Sequence, residues 1–318
     1  MGDAGADNSK EQPVGGSGAG ETRCGFVAVI GAPNAGKSTL VNQMVGAKVS
    51  IVSHKVQTTR VPLRGIAIEG KSQLVFIDTP GIFRPKRRLD RAMVEAAWGG
   101  AHDADIVVML VDAAKGIEED LERILAKLAD APHAKILVLN KVDRVSDKDR
   151  LLPLIARLSD KQTFDRVFLI SALDGNGVAD LKRYLAERMP LGPWHYPEDE
   201  ISDAPLRMLA SELTREKIYE YLHEELPYST TVETTDWKTF KNGSVRIEQT
   251  IYVERDSQKA IVLGKKGQTI KRISSESRNE LAKILEHDVH LFLFVKVREN
   301  WGSDPERYRE MGLDFPKD

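Results

Sequence analysis

Nine consecutive residues, Gly31, Ala32, Pro33, Asn34, Ala35, Gly36, Lys37, Ser38 and Thr39, have the types and spacing to hold a chain of phosphates. They fit G-x-x-x-x-G-K-[ST], follow the apolar run Gly25 to Ile30 and open a helical pattern, which is the context that motif needs. Glycines let the backbone curl so that successive N–H groups, backed by the positive end of the helix, converge on one spot. Lys37 would reach the outer phosphates and Ser38 would ligate Mg²⁺. Asp78, Thr79, Pro80 and Gly81 would add a carboxylate beside the metal and a backbone N–H beside the γ-phosphate. Asn140, Lys141 and Asp143 read N-K-x-D. The carboxylate can accept two hydrogen bonds from the N1–H and 2-amino edge of guanine, whereas adenine would leave it unpaired, so the pattern selects GTP over ATP. Lys141 would lie along the base plane, Asn140 would tie its loop to the phosphate loop, and Ser171 and Ala172 would close the pocket with a backbone N–H to the guanine oxygen. Any one of these groups occurs in ordinary turns; their order, each at a strand end, does not arise so easily.

Residues 48 to 61 lie where a switch loop would close on γ-phosphate and Mg²⁺ and loosen when the phosphate leaves. Thr59 is the choice for its metal-binding threonine, with Thr58 the alternative. Lys37, Thr59, Asp78, Gly81 and Asn34 make up the candidate catalytic set, and Ser38, Thr59 and Asp78 the candidate metal ligands. Many nucleotide hydrolases of this type carry a glutamine just after the glycine of D-x-x-G to orient the attacking water. Ile82 holds that place here and can neither donate nor accept, so weak intrinsic hydrolysis is expected. Arg84, Lys86, Arg87, Arg88 and Arg91 follow on what would be a second switch; a solvated loop is the plain reading of that cluster.

The elements that must position these residues follow from the apolar runs Gly25 to Ile30, Leu74 to Ile77, Ile106 to Val111, Ile136 to Leu139 and Val167 to Ile170. Runs this apolar, separated by helical patterns, indicate strands buried on both faces of a mostly parallel sheet, with ligands bound beyond the strands' carboxyl ends. Residues 191 to 205, rich in proline and acid, read as a linker between domains. Beyond it come a helix from Leu206 to about Glu225, strands near Ser229 to Thr235 and Ser244 to Val253, a short helix near Gln258, a glycine-bracketed turn, a helix to about Glu286 and a strand Val289 to Val297. The order is α-β-β-α-α-β. The expected division is a tail at 1–22, a nucleotide domain at 23–190, the linker, a second domain at 206–302 and a tail at 303–318.

Composition narrows the class. A chain of 318 residues with 41% apolar content is long enough for two cores. Its one cysteine, Cys24, excludes an intramolecular disulfide and suits a reducing compartment, and the seven histidines show no metal-ligand spacing. A net charge of −2 points to neither nucleic acid nor membrane, so such a partner must be argued from local patterning. No run approaches the roughly 20 apolar residues of a membrane span.

Taken with Gln57-Thr-Thr-Arg60, these motifs resemble the TRAFAC translation-factor-related GTPases that carry a hydrophobic residue in place of the glutamine. Leu226-Pro-Tyr-Ser229, Ile261-Val-Leu-Gly264-Lys-Lys-Gly267-Gln-Thr-Ile-Lys271 and Val289 to Val297 narrow the resemblance, over residues 24 to 302, to the bacterial Era family. The resemblance implies an α/β P-loop GTPase fold with a mostly parallel sheet, followed by an α+β type II KH domain. In KH domains a G-x-x-G turn lets a nucleic-acid backbone approach while bases lie in an apolar groove. Gly264, Lys265, Lys266, Gly267 and Lys271 are the RNA-binding candidates. The resemblance further implies GTP/GDP and Mg²⁺ as ligands, a K⁺ ion at Asn34 in place of an arginine finger, and hydrolysis stimulated by RNA. It also implies binding to the 3′ end of 16S rRNA during 30S ribosomal subunit assembly, with no role for DNA. Location would be cytoplasmic, with peripheral association at the inner membrane that no segment of this sequence itself supports. A GTP-regulated adaptor whose second domain binds protein or membrane is the competing reading. A tRNA-modifying GTPase is disfavoured, since it would need a catalytic cysteine or cofactor site.

Overall fold

The computed structural model describes residues 21–129 and 131–316. The tail expected at 1–22 lies outside them except for Glu21 and Thr22. The first unit runs β1 (Arg23–Ile30), α1 (Lys37–Val45), β2 (Leu63–Glu69), β3 (Ser72–Asp78), α2 (Arg88–His102), β4 (Ile106–Asp112), α3 (Glu119–Leu128), β5 (Ala134–Asn140), α4 (Leu151–Lys161), β6 (Arg166–Leu169) and α5 (Val178–Arg188). Its sheet has the order β2-β3-β1-β4-β5-β6, and only the β2–β3 pair is antiparallel. Both faces are covered. Leu40, Val41 and Met44 of α1 and Leu181 and Leu185 of α5 pack on one side, and Ala97, Ala101, Leu121, Ile124, Leu154 and Leu158 of α2, α3 and α4 on the other. Such double burial accounts for the near-continuous apolar character of β1, β3, β4 and β5.

Strand β2 is absent from the sequence reading. Arg64 and Gly65 interrupt its apolar pattern, and it is an edge strand, half served by its neighbour. The linker supplies what its free edge lacks. Ile66 N–H donates to Ile201 O, Arg64 pairs with Asp203, and Trp194 Nε1 and Gln73 Nε2 bond carbonyls across the same seam. Residues 191–205 are thus laid along the sheet edge, which shields its unpaired backbone groups.

The second unit comprises α6 (Leu206–Tyr221), β7 (Thr231–Thr239), β8 (Val245–Val253), α7 (Asp256–Leu263), α8 (Gln268–Leu285) and β9 (Val289–Val297). The α-β-β-α-α-β order is as read from the sequence. β8 pairs antiparallel with β7 and parallel with β9. Helix α6 is buried nearly all round, polar residues included: Thr214, Arg215 and Glu216 are each 2% exposed or less. One side faces the three-stranded sheet through Thr214, bonded to Gln249, and the other faces residues 48–60 of the first unit.

The expected C-terminal tail holds a helix, α9 (Pro305–Met311), capped by the Asp304 carboxylate on Glu306 N–H with proline in its first turn. Trp301, Tyr308 and Leu313 are buried against Leu89 and Met93 of α2 and against Val61 and Leu63. Seven residues, mostly charged, are too short to show a helical period, though Asp-Pro-Glu is a helix-start signal.

Candidate functional site

The carboxyl ends of β1, β3, β4 and β5 open onto one cleft of about 360 Å³. Gly36 is forced by its surroundings: φ is 102°, and a Cβ there would lie 2.3 Å from Asn140 Nδ2. That closeness lets Asn140 bridge two loops. Its Nδ2 donates to Ala35 O at 2.8 Å and its Oδ1 accepts from Ala172 N–H at 2.9 Å. Ser171 N–H is taken by Asn176 O, and of the 171–172 pair Ala172, whose N–H goes to Asn140 Oδ1, lines the cleft. Lys141, at φ 62°, turns its ammonium back to Asn34 O and to Asp112 Oδ2 at 2.7 Å. Asp112 is a site residue outside the sequence motifs; its one signal there is an acid closing the apolar run of β4. Asp143 is exposed on the cleft wall.

At the other end of the cleft, Ser38 Oγ and Thr59 Oγ1 are 3.0 Å apart, and Thr59 Oγ1 donates to Asp78 Oδ2 at 3.4 Å. Thr58 turns away, bonding its own loop at Lys55 O. Asp78 is fully buried, and its Oδ1 has no hydrogen-bond partner. Burial raises its carboxyl pKa, against the Ser38 hydroxyl and the Lys37 charge. Thr79 bonds Val29 O, and Gly81 packs against Pro33. Ile82 N–H donates to Gly31 O while its side chain is buried in the cluster with Ile30 and Ala97, away from the cleft. Asn34 Nδ2 donates to His54 O at 2.9 Å, joining the phosphate loop to segment 48–61.

Lys37 is 6% exposed and donates to Gly31 O and Ala32 O. Burial pushes its ammonium from 10.5 down to about 8. Between pH 8 and 10.5 the unfolded chain therefore binds more protons than the folded one, so stability rises with pH through that window. The whole ionic penalty, roughly 3 kcal/mol, is present below it. Lys37→Met should stabilise the nucleotide-free protein at pH 7 by about 2 kcal/mol, because Gly31 O and Ala32 O keep the N–H groups of Ile82 and Ala35 when the ammonium is gone. It should also flatten the alkaline rise in urea unfolding midpoints and remove nucleotide binding. An unchanged alkaline rise would contradict the assignment.

In the second unit, Gly264 (φ 72°, ψ 172°), Lys265, Lys266 (φ 53°) and Gly267 (φ 74°) form the turn between α7 and α8. A Cβ on Gly264 would lie 2.1 Å from Thr269 Oγ1, so the position admits only glycine. Lys265, Lys266 and Lys271 are exposed, with no ion-pair partner among the described residues, and Ile261 beside them is 56% exposed. Arg272, by contrast, is paired with Glu276.

Segment 48–60 connects the two regions. Glu216 accepts from Lys48 Nζ and, at 2.8 Å, from Val52 N–H. Lys55 Nζ donates to the carbonyls of Tyr219 and Leu222, Arg215 to Thr58 O, and Tyr219 OH to Gln57 O. Arg60 Nη1 donates to Thr230 O at 2.9 Å. None of these pairings is legible in the sequence. Among the described residues no helix is long and apolar enough to cross a membrane.

Comparison with known proteins agrees with this geometry. Residues 26–141 match the family model described as 50S ribosome-binding GTPase, and residues 225–302 match the KH domain. "GTPase Era" of Brucella suis biovar 1 (strain 1330) is 64% identical over 310 residues, covering 97% of this chain and 99% of its own. "GTPase Era" of Bradyrhizobium sp. (strain ORS 278) is 64% identical, covering 95% and 98%. The crystal structure of a single-residue variant of Aquifex aeolicus Era bound to GDP·AlF4⁻ superposes with a TM-score of 0.87 at 38% identity, over 92% of this chain and 99% of that one. A structure of Era with MgGDPNP and nucleotides 1506–1542 of 16S ribosomal RNA matches equally well.

Proposed function

The chain belongs to the Era family of GTPases, and from that premise we propose that it couples GTP hydrolysis to the binding of the 16S rRNA 3′ end during 30S subunit assembly in the cytoplasm. The observation that carries this reading is the seating of segment 48–60, which holds Thr59, on helix α6 of the KH domain. One segment thus serves the nucleotide cleft and the RNA-binding domain.

The donor set fits Mg²⁺: two hydroxyls and a buried carboxylate with one orphaned oxygen stand together at Ser38, Thr59 and Asp78. Held there, the ion would neutralise charge on the β- and γ-phosphates. Lys37 would exchange its two loop carbonyls for phosphate oxygens, and the Gly81 N–H would meet the γ-phosphate. Asp143 would read the guanine edge, with the Ala172 N–H on the guanine oxygen. Ile82 supplies nothing to the attacking water, so charge must come from elsewhere. Asn34 Oδ1 and the His54 carbonyl oxygen would hold K⁺, an ion of the charge an arginine finger would bring, with the Asn34 N–H that His54 O now accepts giving way to it. Gly264, Lys265, Lys266, Gly267 and Lys271 would take the RNA backbone, with bases along the groove that exposes Ile261.

GTP turnover measured in KCl and in NaCl, each with and without an RNA copying the 16S 3′ end, tests the reading. Turnover should rise at least about tenfold with K⁺ and RNA together, since added transition-state charge is worth about 10³-fold or more in related enzymes. Turnover indifferent to RNA in both salts would sink the coupling.

A further inference from the structure

A second cavity, of about 530 Å³, lies between the two domains, bounded by segment 60–61, α6, β7 and α9. It is larger than the nucleotide cleft and within the range of small-molecule sites. Val61, Pro205, Met208 and Met311 give it an apolar wall. Four arginines also line it, Arg60, Arg207, Arg215 and Arg307, against three glutamates, Glu212, Glu233 and Glu310. The glutamates are committed: Glu212 to Arg215, Glu233 and Glu310 to Arg307. Arg60 is left over. It is 5% exposed and bonds the carbonyls of Thr230 and Pro227, with the Trp301 ring 5.6 Å away, and no carboxylate of the described residues lies within ion-pair distance. Two of the buried guanidinium groups keep an unpartnered nitrogen, Nη1 of Arg215 and Nε of Arg307. A buried cation without a counter-ion is costly, and orphaned N–H groups add to the cost.

We propose that this cavity is an effector site for a small amphipathic oxyanion, a carboxylate or phosphate ester on an apolar body, whose headgroup supplies the counter-charge to Arg60. Arg60 follows Thr59, and Arg215 holds Thr58 O, so a bound anion stiffens the same segment that closes on the γ-phosphate. By linkage, its affinity differs between nucleotide states. This inference does not depend on the RNA reading.

The full chain labelled with ¹³C at methionine methyls tests it, because Met208 and Met311 line the cavity while Met44, Met109 and Met189 lie in the nucleotide-domain core. Hexanoate and phenyl phosphate are the probes, and their relative affinity separates a lipid-type carboxylate from a phosphorylated metabolite. Hexanol and inorganic phosphate supply the body or the headgroup alone. The two amphipathic anions should give saturable shifts at Met208 and Met311, and the controls should not. Arg60→Gln and Met311→Trp should each weaken binding about tenfold or more, the first by removing the charge-assisted bonds and the second by filling the space. Unmoved Met44 and Met109 signals report that a variant is folded. The proposal falls if neither anion saturates, if hexanol or phosphate does as well, or if a folded variant binds undiminished. Equal affinity in the GDP and GTP-analogue states removes the effector role.

Discussion

Asp143→Asn should cost about 10²- to 10⁴-fold in affinity for GDP, because the amide turns an N–H toward a guanine edge that itself presents only donors. The same variant should gain xanthosine diphosphate. Xanthine keeps N1–H but carries an oxygen where guanine has its amino group, so the asparagine oxygen meets N1–H and its NH₂ meets the new acceptor. The exchange is an inversion of one hydrogen bond and leaves the fold untouched, since Asp143 is exposed and its side chain caps nothing in its loop. Equilibrium titration with fluorescent GDP and XDP reads both halves. A variant that weakens both nucleotides alike would show that Asp143 supports the loop and does not read the base.

Reversing both lysines of the KH turn, Lys265→Asp with Lys266→Asp, should lower affinity for single-stranded RNA by about 10²-fold or more. Taking two cations away from the phosphates of a single strand should also reduce the slope of log affinity against log salt by about 1.4. Both side chains are exposed and unpaired among the described residues, so the change reaches the RNA without breaking a bond inside the protein. Anisotropy titrations over a KCl series give affinity and slope together. Affinity within a few-fold of the parent would move the RNA to another surface and revive the adaptor reading, in which this turn is idle.

The nucleotide cleft was legible in the sequence because its work is done by backbone shape and short-range geometry. Glycines at fixed places and polar residues closing apolar runs are local signals, and the choice of Thr59 over Thr58 is supported by the Oγ1 that stands with Ser38 and Asp78. The KH order was legible for the same reason, its elements being regular and separated by clear turns. What escaped was whatever depends on a distant partner. Edge strand β2 takes its stability from β3 and the linker, and α9 from α2 and Trp301. Arg215 and Glu216 belong to no motif in the sequence. In the structure both are buried: Arg215 pairs with Glu212 on its own helix and also donates to Thr58 O, and Glu216 pairs with Lys48, the last two contacts spanning more than 150 residues.

The seam between segment 48–60 and α6 ties the nucleotide cleft to the second unit. If the γ-phosphate and its metal fix Thr59, they also fix the seat on which the KH domain rests, and the RNA-bound arrangement should be the one favoured with GTP. The most direct measurement is equilibrium binding of a labelled RNA copying the 16S rRNA 3′ end to the protein loaded with a non-hydrolysable GTP analogue and again with GDP. Binding should be about tenfold tighter with the analogue, a coupling of ordinary size for linked sites. Equal affinity in the two states, or no binding in either, would contradict it.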